Sequence, residues 1–103
     1  MRRCQLTKPS DHEVEDYRRR LGDAILSARK RRRLTQKSAA DAAGVTRQFF
    51  GLLERGGINV SLETLLRICS VLETTPALLF REVEQNGRSA SEFEGTQEPS
   101  VGD

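Results

Sequence analysis

The chain has 103 residues, of which 36% are hydrophobic and 31% charged, a composition that suits one small domain with polar ends. No apolar run approaches the ~20 residues that a membrane-spanning helix needs, and two cysteines make no disulfide framework. The basic N-terminal segment lacks the apolar stretch of a secretory signal. These features exclude a membrane protein and a cystine-stabilised secreted domain, so we expect a cytoplasmic protein.

The charge is unevenly distributed, although the net value is only +2. Residues 17–37 contain nine Lys or Arg and one acid, whereas residues 82–103 contain six acids and one Arg. A solvated helix face would explain the basic run. A polyanionic partner would explain it equally well.

The first helix is predicted from a capping signal. Ser10 is followed three residues later by Glu13, which is the spacing of a capping box. Apolar residues then recur at helical spacing between residues 14 and 28. We expect a helix from about residue 11 or 15 to residue 32, with a weaker prediction near Gly22.

Two short helices joined by a tight glycine turn follow. Thr35 is a suitable N-cap for the second helix, and Gly44 fits the position just after its end. Thr46 then caps a third helix, which ends at Gly56 and Gly57. Two short helices connected in this way are the supersecondary unit of helix-turn-helix proteins.

Two further helices complete the predicted domain. Ser61 is expected to cap a fourth helix, and Pro76 suits the first turn of a short fifth helix. The apolar residues of the fourth helix are predicted to form one buried face, namely Leu62, Leu65, Leu66, Ile68, Cys69 and Leu72. No segment has the pattern of a strand, so the predicted fold class is all-α with five helices.

The two ends of the chain differ in composition from this helical part. After about residue 83 the sequence is polar, acidic and rich in glycine and serine, which is typical of disorder. We therefore expect a flexible N-terminal arm at residues 1–14, a helix-turn-helix domain at 15–82 and a disordered acidic tail at 83–103.

The segment TQKSAADAAGVTRQFFGLLERGGINVSLETLLRICSVLETTPALLF resembles the lambda-repressor-like, Cro/XRE-type DNA-binding domain. The similarity covers about residues 17–80. The residues that carry it are Thr35, Gln36, Ala40, Gly44, Leu53, Glu54, Arg55, Gly56, Asn59, Ser61, Leu62, Thr64, Leu65 and Leu66. From Glu54 onward the chain is particularly similar to restriction–modification controller proteins and related small repressors. Two positions depart from the family, which usually has a bulky aliphatic residue at Ala39 and a polar residue at Leu52.

A helical wheel of the third helix separates a core face from a partner face. Phe50 and Leu53 point in one direction, and Gln48 and Gly51 point in nearly the opposite direction. Glycine inside a helix costs about 1 kcal/mol relative to alanine. Gly51 is therefore either a tolerated defect or a site where a bulky partner approaches the backbone.

The resemblance implies that the third helix reads base pairs. In helix-turn-helix proteins the first turn of this helix contacts base edges, and Arg and Gln there can recognise guanine and adenine. The predicted base contacts are Arg47, Gln48, Gly51 and Leu52. Leu52 could contact a thymine methyl group or simply cover the edge of the core.

Contacts to the DNA backbone are expected around this helix. The predicted phosphate contacts are Arg32, Arg33, Gln36, Lys37, Thr46 and Asn59. Gln36 and Asn59 match family positions that contact the backbone, and the start of the second helix offers free N–H groups to an anion. The arginines could instead complement the dipole of the first helix.

The resemblance implies a transcriptional regulator of the repressor or controller type that binds double-stranded DNA at a palindromic operator as a homodimer. The expected dimer surface comprises Leu72, Leu78, Leu79 and Phe80, unless some of these close the monomer core. The acidic tail could contact RNA polymerase or another protein. An antitoxin or interaction adaptor, with DNA binding secondary, is the alternative.

Enzymatic function has little support in the sequence. His12 is the only histidine, and with two cysteines it gives no metal-ligand spacing. No glycine-rich phosphate loop follows a strand. We therefore expect no catalytic activity, no cofactor and no metal.

Overall fold

The computed structural model describes the backbone of residues 8–95 and the side chains of residues 8–85. It contains the helices α1 (Asp11–Arg31), α2 (Gln36–Ala43), α3 (Arg47–Glu54), α4 (Leu62–Val71) and α5 (Pro76–Gly95). No strand occurs between residues 8 and 95. The predicted all-α class with five helices is therefore confirmed.

The first four helices begin at the residues that the sequence predicts as caps. The hydroxyl of Ser10 accepts a hydrogen bond from the N–H of Glu13 at 3.1 Å, and the Glu13 carboxylate accepts one from the N–H of Ser10 at 2.9 Å. The hydroxyls of Thr35, Thr46 and Ser61 each accept from the N–H three residues onward, at 3.0, 2.9 and 3.2 Å. These bonds satisfy donors that have no partner within the helix.

The turn between α2 and α3 requires its glycine. Gly44 has φ +78°, in the left-handed region that favours glycine. From this conformation the chain reverses sharply, and the N–H of Val45 reaches the carbonyl of Ala40 at 3.0 Å. The helix-turn-helix unit predicted from the sequence is therefore formed.

All five helices contribute to one apolar core. Its largest fully buried side chains are Ile25, Phe50, Leu53, Ile68, Leu79 and Val83. Cys69 is also buried there, as expected, and desolvation raises the pKa of its thiol. The core explains why five short elements form a stable unit, since burial of apolar area is the main favourable term in folding.

The predicted dimer surface is partly wrong, because Leu72 and Leu79 lie inside this core. Only 2% and 1% of their surfaces remain exposed. Leu78 is 53% exposed, and Phe80 is half-buried and packs against the core. Both leucines therefore close the monomer's own core, which is the alternative left open for them in the sequence.

The predicted buried face of α4 also requires a correction. Leu65, Ile68 and Cys69 are buried, but Leu62 is 69% exposed and Leu66 is also exposed. These two leucines line an open depression together with Ala42 and Ala43 of α2. On the helical wheel both leucines lie at the edge of the arc formed by Leu65, Ile68 and Cys69, so they face away from the core.

Helix α1 and the end of α3 approach at the level of their backbones. A Cβ atom on Gly22 would lie 2.4 Å from the carbonyl oxygen of Glu54, and one on Gly56 would lie 2.6 Å from the Cα of Arg19. Both distances are far below van der Waals contact. Gly22 is therefore the residue that allows α3 to rest on α1, rather than a point at which α1 weakens.

The fifth helix is longer than predicted. Val83 is buried, and Glu84 accepts a hydrogen bond from the hydroxyl of Tyr17 at 2.9 Å, so α1 holds α5 beyond residue 82. The expected domain boundaries at residues 14 and 82 thus both fall inside helices. The remaining parts of the predicted arm and tail, residues 1–7 and 96–103, lie outside the described residues.

Candidate nucleic-acid interface

Helix α3 has two distinct faces. Phe50 and Leu53 are 0% and 2% exposed, whereas Arg47, Gln48 and Leu52 are exposed. The helix is therefore anchored through one face and presents the other to solvent. This agrees with the helical wheel for Arg47, Gln48, Phe50 and Leu53, but Gly51, predicted to lie on the partner face, is buried.

The exposed face surrounds an open depression with Gly51 at its floor. The depression is lined by Gln36, Arg47, Gln48, Gly51, Leu52 and Arg55. A Cβ on Gly51 would lie 3.7 Å from the amide atoms of Gln36 and 3.8 Å from Nη1 of Arg55, which is ordinary contact. Packing within the chain therefore does not demand glycine at this position, in contrast to Gly22.

A buried ion pair lies directly behind this surface. Nε of Arg29 is 2.6 Å from Oε2 of Glu54, and the two side chains are almost completely buried. Arg29 also donates through Nη1 to the carbonyl of Leu34 at 2.8 Å. The guanidinium thus ties α1 to the end of α3 and to the residue before the α2 cap.

Gln36 connects the ion pair to the exposed face of α3. Its Nε2 donates to Oε1 of Glu54 at 2.8 Å, and its Oε1 accepts from Nη1 of Arg47 at 3.4 Å. A carboxylate only accepts and a guanidinium only donates, so the two neighbours dictate which way the amide points. Gln36 and Arg47, both predicted to contact DNA, are therefore in contact with each other.

The other predicted phosphate contacts are dispersed around α2 and α3. Thr46 caps α3 and is exposed, and Lys37 is exposed beside Asp41, with Nζ 3.1 Å from the carboxylate. The Oδ1 of Asn59, in the loop between α3 and α4, accepts from Nη1 of Arg18 at 3.2 Å. The helix-turn-helix unit thus places Gln36, Lys37 and Thr46 at the starts of α2 and α3.

Arg32 and Arg33 lie at the opposite end of α1 from the α3–α4 loop. Arg32 is the C-cap of α1 and forms an exposed ion pair with Glu73, with 2.9 Å between Nη2 and Oε2. Arg33 is exposed and has φ +60°, which directs the chain from α1 toward α2. Glu73 follows α4, so the structure joins Arg32 to the α4–α5 turn and not to the depression on α3.

The structural roles of Arg18, Arg29 and Glu54 were not predicted from the sequence. Arg29 and Glu54 interrupt the apolar positions of two helices that are otherwise buried there, and a charge on a buried face is a signal for a buried partner. Arg18 carried no such signal, because it lies in a run of three arginines.

The described part of the chain was searched for metal-ligand clusters and for membrane-spanning helices. Between residues 8 and 85 no group of three His, Cys, Asp or Glu side chains is arranged to hold a metal ion. His12 is exposed in the first turn of α1. No helix among the described residues is both long and apolar enough to cross a membrane.

The fold, the glycine turn and the two-faced α3 define a helix-turn-helix protein. Residues 20–80, more than half of the chain, match the family described as helix-turn-helix domain, and the chain belongs to that family. The predicted resemblance is thereby confirmed at this level. No curated protein matches the chain.

Two solved structures of the clp gene regulator ClgR from Corynebacterium glutamicum are similar to this chain. One has 32% sequence identity and a TM-score of 0.66, and the match covers 67% of this chain and 88% of the other. The second has 26% identity and a TM-score of 0.64, with 80% and 96% covered. The similarity therefore extends over most of both proteins.

Proposed function

We propose that the chain is a transcriptional regulator that binds double-stranded DNA through α3 as a homodimer. The observation that carries the proposal is the exposed row of Arg47, Gln48 and Leu52 on a helix whose other face is locked into the core. Membership of the helix-turn-helix family supports it, as does the similarity to a protein described as a gene regulator.

The proposed mechanism of sequence recognition uses the first turn of α3 in the major groove. Arg47 would donate to O6 and N7 of a guanine, and Gln48 would bind the N6 and N7 edge of an adenine. Leu52 would contact a thymine methyl group. Gly51, at the floor of the depression, would let the edge of a base pair approach the helix backbone.

Backbone contacts would position α3 without reading sequence. Lys37, Arg32 and Arg33 are exposed cations, and the ion pairs of the first two with Asp41 and Glu73 are themselves exposed. Exposed ion pairs contribute about 0–1 kcal/mol to stability, so little free energy is lost when these side chains leave their carboxylates to bind a phosphate.

The uncharged phosphate contacts would use free amide and hydroxyl groups. Gln36 keeps one N–H of its Nε2 beyond the bond to Glu54, and Asn59 keeps both N–H groups of its Nδ2. The hydroxyl of Thr46 already accepts from Phe49 and can still donate its own hydrogen.

Dimerisation would use the exposed part of α5. Leu78 and the half-buried Phe80 remain accessible, whereas the other two leucines first expected there are buried. Two copies related by a twofold axis would read half-sites about 10 bp apart, or a multiple of that distance. Repressor or controller activity, and a contact of the acidic residues after 82 with RNA polymerase, stay predictions.

Selection of bound duplexes from a random DNA library tests the proposal most directly. We expect enrichment of a palindromic site, and binding should weaken by about 0.9 log units per log unit of salt for each phosphate neutralised. An enriched site without twofold symmetry would rule out recognition of the DNA by a homodimer. No enrichment by the chain alone, with binding restored only by a second protein, would favour the adaptor or antitoxin alternative.

A further inference from the structure

Arg18 of α1 donates a forked pair of hydrogen bonds to the loop that follows α3. Its Nε donates to the carbonyl oxygen of Gly56 at 3.3 Å, and its Nη1 donates to Oδ1 of Asn59 at 3.2 Å. Arg18 is half-buried, whereas Asn59 is exposed. One guanidinium thus fixes both the first turn of the loop and the side chain three residues further along.

The chemistry of this contact determines how Asn59 is presented. A guanidinium has five N–H donors and no acceptor, so the atom of Asn59 that faces it must be the carbonyl oxygen. The amide plane is thereby oriented, and Nδ2 with its two N–H groups is the part left for solvent or a partner. Asn59 can therefore donate to an acceptor such as a phosphate oxygen.

We propose that Arg18 is a positioning residue for phosphate recognition, acting by holding the Asn59 amide with its N–H groups outward. The inference rests on the proposed DNA binding and adds a residue that lies outside the helix-turn-helix unit. Pre-orienting the donor means that less side-chain freedom is lost when DNA binds.

A lysine could not take the place of Arg18 in this role. The guanidinium is planar and rigid, and it engages a main-chain carbonyl and a side-chain oxygen at the same time. The ammonium group of lysine carries the same charge at a single point on a flexible stem. The proposal therefore separates two effects of Arg18, its charge and its geometry.

The central variant is Arg18→Lys, which keeps the charge and removes the fork. The matched control is Arg19→Lys, because Arg19 lies in the same turn and its guanidinium pairs with Asp16 and not with the loop. Asn59→Ala and the double variant of Arg18→Lys with Asn59→Ala complete a double-mutant cycle. Each protein is titrated with the selected duplex and with a scrambled duplex at two salt concentrations, and its melting temperature is measured.

We expect Asn59→Ala to weaken binding to both duplexes about tenfold per half-site, as for a hydrogen bond to a charged group. Arg18→Lys should lose nearly as much with an unchanged salt dependence, and the double variant should lose no more than Asn59→Ala alone. Arg19→Lys should bind like the unchanged protein. Losses that add in the double variant, or full activity of Arg18→Lys, would overturn the positioning role.

A measurement without DNA tests the positioning of Asn59 by Arg18 separately from the proposed DNA binding. The side-chain amide of Asn59 gives its own pair of signals in a ¹⁵N NMR spectrum. Arg18→Lys should shift these signals toward those of a free asparagine amide, while Arg19→Lys leaves them in place. Unshifted signals would overturn the inference even if the chain binds DNA, and absence of any DNA binding with shifted signals would overturn only the phosphate role.

Discussion

Arg29 on α1 and Glu54, the last residue of α3, form a buried ion pair with 2.6 Å between Nε and Oε2. Gln36 donates to the same carboxylate at 2.8 Å and accepts from Arg47 at 3.4 Å. The pair therefore fixes the end of α3 against α1 and, through one amide, reaches the side chain proposed to read a base. Stability and recognition share these contacts.

Replacing Arg29 by alanine should strongly destabilise the fold. Glu54 would be left buried without its guanidinium partner, and breaking a buried pair in this way costs about 3–5 kcal/mol. Urea denaturation measures the effect. Arg67→Ala is the control, because its pair with Glu63 is exposed and should be worth about 0.3–0.5 kcal/mol. Equal small losses in the two variants would show that the Arg29–Glu54 pair is not structurally important.

Two glycines in helices should respond oppositely to alanine. Gly22→Ala places a Cβ 2.4 Å from the carbonyl of Glu54, so α3 must move off α1 and the melting temperature should fall sharply. Gly51→Ala meets only ordinary contacts and should stabilise the helix by up to about 1 kcal/mol. Thermal melts of the two variants provide the comparison, and a destabilised Gly51→Ala would contradict the ordinary contacts that a Cβ makes there.

Arg47→Ala should reduce sequence preference more than general affinity. Loss of a bidentate base contact removes about 1–3 kcal/mol of discrimination, so binding should weaken at the selected site and hardly at scrambled DNA. Lys37→Ala is the comparison, since loss of a phosphate contact weakens all sequences alike and lowers the salt slope by about 0.9. If Arg47→Ala binds the selected site like the unchanged protein, α3 does not read DNA as proposed.

Substitutions of two adjacent leucines on α5 should affect dimerisation and folding separately. Leu78 is exposed, so Leu78→Glu should shift sedimentation toward monomer and leave the melting curve in place. Leu79 is buried, so Leu79→Ala should cost about 2–5 kcal/mol of folding stability. A Leu78→Glu protein that still sediments as a dimer would move the interface away from this part of α5.

Tyr17 should make stability depend on pH in the alkaline range. Partial burial and the hydrogen bond to Glu84 raise the pKa of its hydroxyl to about 12. In the unfolded chain the pKa is about 10, so the stabilisation is complete below pH 10 and is lost as pH rises toward 12. Tyr17→Phe lacks the hydroxyl and should be less stable at pH 7 by about 1 kcal/mol. The melting temperature of the unchanged protein should exceed that of Tyr17→Phe by less at pH 12 than at pH 10. Parallel curves of melting temperature against pH would contradict the raised pKa of Tyr17.

Local features of the chain were predictable because their causes lie within a few residues. The caps at Ser10, Thr35, Thr46 and Ser61 each bond to an N–H three residues onward, and the left-handed turn needs Gly44. The inward face of α3 follows from the helical period. Any chain segment with these residues carries the same information, wherever it sits in the fold.

Other properties depended on which helix lies opposite. Leu62 and Leu66 were predicted to face the core, yet they stay exposed and line an open depression beside Ala42 and Ala43 of α2. Leu72 and Leu79 are equally apolar, and both are buried in the core. Periodicity defines a face of a helix, but the elements packed against that helix decide how much of the face is covered.

Contacts between residues distant in the sequence were decided by the tertiary structure alone. Arg29 meets Glu54, and Arg18 meets Asn59, because Gly22 and Gly56 let the end of α3 rest on the backbone of α1. That crossing brings four polar groups from different elements within hydrogen-bond distance. Helical period and capping act over three or four residues, and so they carry no information about partners that the chain places 25 or 41 positions apart.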